Sequence, residues 1–168
     1  RLHASPVIHE GEDNVAVGAL PFYHILALVM NCMLFFRLGS RQLLITNPKD
    51  IPRFVATIAK SRFTFIVGVN TLYNALLNHP DFAKVDFSRL RMAGGGGAPL
   101  QLPVAQRWKA VTGKTLVEGY GLTETSGATS CNRVTLEDHT GTTGVPLPGV
   151  HIQIRDDDGR VMPHGETG

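Results

Sequence analysis

The sequence predicts an α/β fold: a parallel sheet flanked by helices, with the start of a β-rich subdomain at the C-terminal end. Two observations predict it. Short β-branched runs alternate with longer helix-compatible segments up to Ser130, which is the pattern of βαβ units. Beyond that point Gly141, Gly144, Pro146, Pro148 and Gly149 break any helix, and "VHIQIRD" (150–156) alternates like an antiparallel strand. The division expected is residues 1–131 for the α/β unit and 132–168 for a crossing loop and the first strands of an incomplete β-rich unit.

Each element has a local reason. "NVAVGAL" (14–20) reads as the first strand, followed by Pro21 and the apolar run "ILALVMNCMLFF" (25–36). That run is far short of the roughly 20 residues a bilayer span needs, so it is expected to be a buried helix. "RQLLIT" (41–46) is the second strand; Asn47, Pro48 and Asp50 turn the chain into a helix over 51–60, with Pro52 acceptable in its first turn. "FTFIVG" (63–68) is the third strand, and Asn70 or Thr71 is expected to cap a helix running to Asn78. "LRMA" (90–93) is a short fourth strand ending in four glycines. A helix over 99–111 follows, stopped by Gly113, and "KTLVEGY" (114–120) is the fifth strand.

Composition narrows the function. The 168 residues are 43% apolar, enough to bury a core, and carry a net charge of +2. Charge this balanced does not imply a nucleic-acid partner. Asp156, Asp157, Asp158 and Gly159 read as a solvated hairpin turn. The two cysteines, Cys32 and Cys131, do not suggest a disulfide framework and fit a reducing, cytoplasmic setting. None of the seven histidines, His3 and His9 among them, has the helical spacing of a metal site. No targeting segment is visible, and a chain that begins at Arg1 reads as cut.

In open α/β sheets ligands bind at the carboxyl ends of the strands. "PFYH", "GVNT", "GGGGAP" and "GYGLTET" each follow a strand, so all four are expected on one edge of the sheet. Four consecutive glycines lose conformational entropy on folding with no side chain to pack. They suit either a flat ligand such as a purine lying on bare peptide planes or a mobile connection before a helix. Pro99 stands where the last glycine of GxGxxG would be, so a dinucleotide fingerprint is not supported. In "EGYGLTETS" (118–126), Tyr120 can stack on a base, and Thr123 and Thr125 can donate to a phosphate. Glu124 would repel that phosphate unless Mg²⁺ stood between them. The other reading is a local one, in which Glu124 and Thr125 merely cap a helix. His24, at a strand-to-helix junction, is either structural or catalytic on spacing alone.

With these motifs in hand, the chain resembles the AMP-forming acyl-CoA synthetases of the adenylate-forming superfamily, and within them the bacterial long-chain-fatty-acid branch. "LPFYHILAL", "GVNTLYNALLN", "GGGGAPL", "EGYGLTETS" and "TGTTGVPLPGV" carry the resemblance, which covers about residues 15–168. It implies that Gly96, Gly97 and Ala98 form a backbone wall against adenine, with Tyr120 stacking on the other face. It puts the Glu118 and Gly119 carbonyl side near the purine amino edge, Thr123 on the α-phosphate and Glu124 on Mg²⁺. His24 would stand beside the reacting carboxylate, with Asn70 and Gly121 near the acyl group. The implied reaction activates a fatty acid with ATP to an acyl-adenylate and passes the acyl group to CoA, releasing AMP. Peripheral contact with the inner face of a membrane and a homodimeric parent are compatible with it. A ligase for an aryl or medium-chain acid, or a noncatalytic binding module, is the alternative. No counterpart of the family's upstream phosphate loop, downstream ribose-binding aspartate, hinge or C-terminal lysine is found, so the chain is expected to be an internal fragment, inactive alone.

Overall fold

The computed structural model describes residues 13–168; His3, His9 and Arg1 lie outside the described residues. Seven strands form one sheet in the order β2-β1-β3-β4-β5-β6-β7. β1 (Val15–Gly18), β2 (Arg41–Leu44), β3 (Phe65–Gly68), β4 (Met92–Gly95) and the first half of β5 (Leu116–Leu122) run parallel. β6 (Gly127–Cys131) and β7 (Val145–Pro146) add antiparallel at one edge. The central strands β1 and β3 are buried at every position, as strands covered on both faces must be. Thr64 stitches them: its Oγ1 accepts from Val15 N at 2.8 Å and donates to Val15 O at 3.1 Å.

The strand order decides which face each helix covers. The chain moves one way from β1 to β2 and the other way afterwards, so right-handed crossovers put the helix after β1 on one face and the later three on the other. Those three, α2 (Ile51–Ile58), α3 (Asn70–Leu77) and α4 (Leu102–Thr112), bury Phe54, Ile58, Tyr73, Leu76, Val104 and Trp108 against Val15, Val17, Ile66 and Ala93. Tyr73 and Trp108 meet edge to face with ring centroids 4.7 Å apart. The second face has a smaller core of Ala16, Phe35, Phe65, Val67, Met92 and Val117.

Local signals worked where they were strong. Asp50 caps α2, accepting from Arg53 N at 3.1 Å, and Pro52 sits in the first turn. Gly113 ends α4 in the left-handed region at φ 71°. The Asp156–Gly159 turn is an exposed reversal in which Asp156 N donates to Arg160 O.

Four expectations need correction. The apolar run 25–36 is a short α1 (Ile25–Ala27) that continues as a π-helix over Leu28–Phe35. It is not buried all round: Met33 is 62% and Phe36 83% exposed. Asn31 explains which side faces in, because its buried side-chain amide donates to Val17 O and to Gln42 Oε1 and its backbone carbonyl accepts from Gln42 Nε2. The fourth strand begins and ends two residues later than expected, since Gly94 and Gly95 pair with β3 and β5 rather than looping out. Val69, not Asn70 or Thr71, is the N-cap of α3. Residues 150–156 form no strand; a single Arg155–Val161 bridge remains, because an exposed two-stranded reversal has no apolar face to bury. Among the described residues no helix is long and apolar enough to cross a membrane.

Candidate functional site

The chain turns sharply after β5. Its first half pairs in parallel with β4 and its second half pairs antiparallel with β6, through a hairpin whose tip is a 3-10 turn, Thr123–Thr125. Gly121 permits the close return: a Cβ there would lie 2.1 Å from the Gly127 carbonyl oxygen. The hairpin was missed in the sequence because "GATSC" has one β-branched residue and no alternating apolar face.

At the carboxyl ends of β3, β4 and β5, on the face with the smaller core, a cleft opens under the start of α1. His24, Leu26, Met30, Val67, Met92, Gly94 to Gly97, Val117, Gly119 to Gly121, Gly127, Ala128 and Cys131 line it. Its floor is apolar, its far wall is glycine backbone, and its near wall is the β5–β6 hairpin. The structure thus brings His24, Gly96, Gly97, Gly119, Tyr120 and Gly121 together in one cleft, as expected. Tyr120 is 49% exposed, so its ring is accessible to a flat ligand. Ala98, Asn70, Glu118, Thr123 and Glu124 do not line the cleft.

The three polar residues of the hairpin tip separate by what their side chains do. Thr125 is committed locally: its hydroxyl accepts from Leu122 N at 2.9 Å and lies 3.0 Å from Leu122 O and 2.9 Å from Gly127 O. That corrects its expected part as a phosphate donor and bears out the local capping reading for this residue. The Thr123 hydroxyl and the Glu124 carboxylate are exposed and make no hydrogen bond or ion pair with any described residue. Side chains held in a tight turn without an internal partner are open to a ligand.

Two expected site residues serve the backbone instead. Glu118 is buried, its Oε1 accepting from Leu100 N at 2.9 Å and its carbonyl from Asn132 N. Asn70 Oδ1 accepts from Gln101 N at 3.0 Å. His24 caps α1, with Nδ1 accepting from Leu26 N at 3.2 Å. In the neutral ring this puts the proton on Nε2, making that nitrogen a donor.

Residues the sequence reading did not single out complete the cleft. Leu26 on α1 and Met30 on the π-helix that continues it hang over the cleft, and Met92 and Val117 form its floor. Cys131, on β6, also lines it, and burial raises its thiol above the ordinary 9.0. It is therefore a neutral, weakly nucleophilic wall residue. No group of three or more His, Cys, Asp or Glu among the described residues is disposed to hold a metal. Glu124 alone could contribute to a magnesium ion carried by phosphates, a donor set that suits Mg²⁺.

Residues 2–168 match the family model described as AMP-binding enzyme. The chain belongs to that family. It is 50% identical over 164 residues to a long-chain-fatty-acid–CoA ligase of Yersinia pestis, a match covering 98% of this chain and 29% of that protein. Among solved structures, a benzoate CoA ligase from Burkholderia xenovorans superposes with a TM-score of 0.85 at 27% identity, over 98% of this chain and 34% of that one. ATP-bound MatB from Rhodopseudomonas palustris superposes with a TM-score of 0.76 at 33% identity, over 92% and 30%. The present chain thus spans less than a third of the curated relatives it matches. Its sheet and helices are those of the AMP-binding enzymes.

Proposed function

We propose that this AMP-binding chain is the adenine- and acyl-facing part of a long-chain fatty acid–CoA ligase. The observation that carries the reading is the division of labour at the hairpin tip. Thr125 holds the turn, while Thr123 and Glu124 are presented beside the cleft with no side-chain partner among the described residues. The identity to ligases named for long-chain fatty acids supports this acid over an aryl or medium-chain one.

In this reading the fatty-acid carboxylate attacks the α-phosphate of ATP, releasing pyrophosphate, and the CoA thiol then displaces AMP from the acyl-adenylate. Catalysis of this kind relies on positioning and charge neutralisation rather than a protein nucleophile. The glycine wall of Gly96 and Gly97 and the Tyr120 ring would hold the adenine between them, with Ala98 and the backbone of Gly119 at its edge; the Glu118 carbonyl is engaged by Asn132 N. The Thr123 hydroxyl would donate to the α-phosphate. Glu124 would hold the magnesium ion, which when bound offsets charge on the phosphates. His24, with its Nε2 proton, would donate to the carboxylate and orient it; Gly121 leaves room beside it. Asn70 stays a candidate acyl neighbour through its backbone, since its side chain is engaged by Gln101. Residues 132–168 would lead into a β-rich unit of the parent protein.

The test is calorimetric titration of the full-length enzyme with a nonhydrolysable palmitoyl-adenylate mimic, followed by a chain-length profile. Binding that is lost in Thr123→Ala or Glu124→Ala supports the reading. A folded enzyme that ignores the mimic, or that prefers aryl acids, sinks it. The isolated 168 residues should form no adenylate above a Glu124→Ala control.

A further inference from the structure

The glycine wall has almost nothing of its own to fix its shape. Gly97, Ala98 and Pro99 are exposed, and Pro99 has no N–H to give. Its shape is set at its ends. At one end Gly95 pairs with Gly68 and Glu118 in the sheet. At the other, Leu100 N and Gln101 N, which enter α4, are met by side chains from two different elements: Glu118 on β5 and Asn70 at the start of α3. The Leu100 side chain closes down on the same point, since a Cβ at Gly95 would lie 2.5 Å from Leu100 Cδ1.

Glu118 is an expensive way to meet one N–H. It is 5% exposed and follows Leu116 and Val117, which are equally buried. A buried carboxylate is tolerated only when hydrogen-bonded, and here the N-terminal end of α4 adds a favourable dipole. Its carboxylate engages Leu100 and does not line the cleft. Loss of the acceptor would free four residues of near side-chain-free backbone, and the cost of ordering them would fall on the ligand that lies against them.

We infer that Glu118 and Asn70 are positioning residues, a two-sided clamp on Leu100 and Gln101 that holds the 96–99 backbone in the shape a nucleotide base binds. The inference rests on the adenylate reading of the cleft. The test uses the full-length enzyme and its Glu118→Ala, Glu118→Gln and Asn70→Ala variants, with amide hydrogen exchange of the segment 96–101 measured without ligand. Glu118→Ala should raise exchange at Leu100 about tenfold, and Asn70→Ala should do so at Gln101, while Glu118→Gln keeps the acceptor oxygen and the protection. In kinetics, the KM for ATP of Glu118→Ala should exceed that of Glu118→Gln about fivefold, with kcat and the KM for CoA matching between them. Unchanged exchange in Glu118→Ala, equal exchange in the Ala and Gln variants, or a fall in kcat with KM for ATP unmoved would each overturn the clamp. Should Glu118→Ala fail to fold, Asn70→Ala decides by the same two readouts. A wild-type enzyme that makes no palmitoyl-adenylate removes the functional reading, and exchange then still decides the clamp.

Discussion

Tyr73, at the centre of α3, donates its phenol to the carbonyl of Gly94 in β4. This bond joins the larger core to the strand that leads into the glycine wall. Burial raises the phenol far above its ordinary 10.0, so it stays protonated and remains the donor at neutral pH. Tyr73→Phe removes one of two donors to the Gly94 carbonyl, which keeps its partner in the β3–β4 ladder, and should cost about 0.5–1.5 kcal/mol. Denaturant unfolding of the full-length enzyme checks it, and a cost below about 0.3 kcal/mol would show that Gly94 finds another donor.

The hairpin tip gives a contrast within three residues. Thr125→Val removes the hydroxyl that ties Leu122 to Gly127 and should destabilise by about 1 kcal/mol. Thr123→Ala and Glu124→Ala, at exposed side chains without partners among the described residues, should leave unfolding within about 0.5 kcal/mol of wild type. The same two substitutions should abolish binding of the adenylate mimic. Destabilisation by Thr123→Ala with binding intact would instead favour a noncatalytic module.

Gly121→Ala should be among the most damaging single changes. The new Cβ would meet backbone of β6, which cannot move aside as a flexible side chain could. A loss of about 2–4 kcal/mol is expected, together with opening of the β5–β6 hairpin. Increased amide exchange at residues 119–131 is the measurement; a stable variant with unchanged exchange would mean that β6 shifts freely.

Cys131 supplies a pH test of the cleft. Its thiol is raised above 9.0 by burial, so the thiolate is scarce at pH 7.5 and grows only as pH passes the higher folded value. Iodoacetamide should label it at least about tenfold more slowly than free cysteine at pH 7.5, and more readily as pH rises through its raised value. Bound palmitoyl-adenylate mimic should slow labelling further, because Cys131 lines the same cleft as Tyr120. Fast labelling at pH 7.5 that the mimic does not affect would place the thiol outside the bound ligand's reach.

Acid should loosen the edge of the sheet at Asp13. Hydrogen bonds from Arg89 and then Arg41 hold its carboxyl below the ordinary 3.8, so the pairing is fully present above that value and is lost as pH falls through the lower folded one. Asp13→Asn should remove this dependence. The carboxyl resonance of Asp13, followed through an acid titration, reports it directly, and an Asp13 that titrates at 3.8 would show the ion pairs to be ineffective.

Much of the fold was legible because its signals are local. Uninterrupted apolar runs gave β1 and β3, Asp50 and Gly113 marked helix ends, and the motif residues fell after strands, where an open sheet exposes its binding edge. By itself the sequence determined the order of the elements through β5 and six of the residues that gather at the cleft: His24, Gly96, Gly97, Gly119, Tyr120 and Gly121. Only the tertiary structure decided what five polar side chains of nearly equal promise would do. Thr125 is consumed by its own turn, Glu118 and Asn70 reach 18 and 31 residues along the chain to hold another element's N–H groups, and the side chains of Thr123 and Glu124 have no partner among the described residues. It also decided that Gly94 and Gly95 belong to a strand, that β6 returns against β5, and that Leu28, Met33 and Phe36 of the apolar run at 25–36 face outward. The physical reason is common to all of these. Propensity and periodicity record what a residue does with its near neighbours in the chain, whereas a buried carboxylate, a bare glycine or a π-helical turn is stabilised by partners that only folding brings within reach.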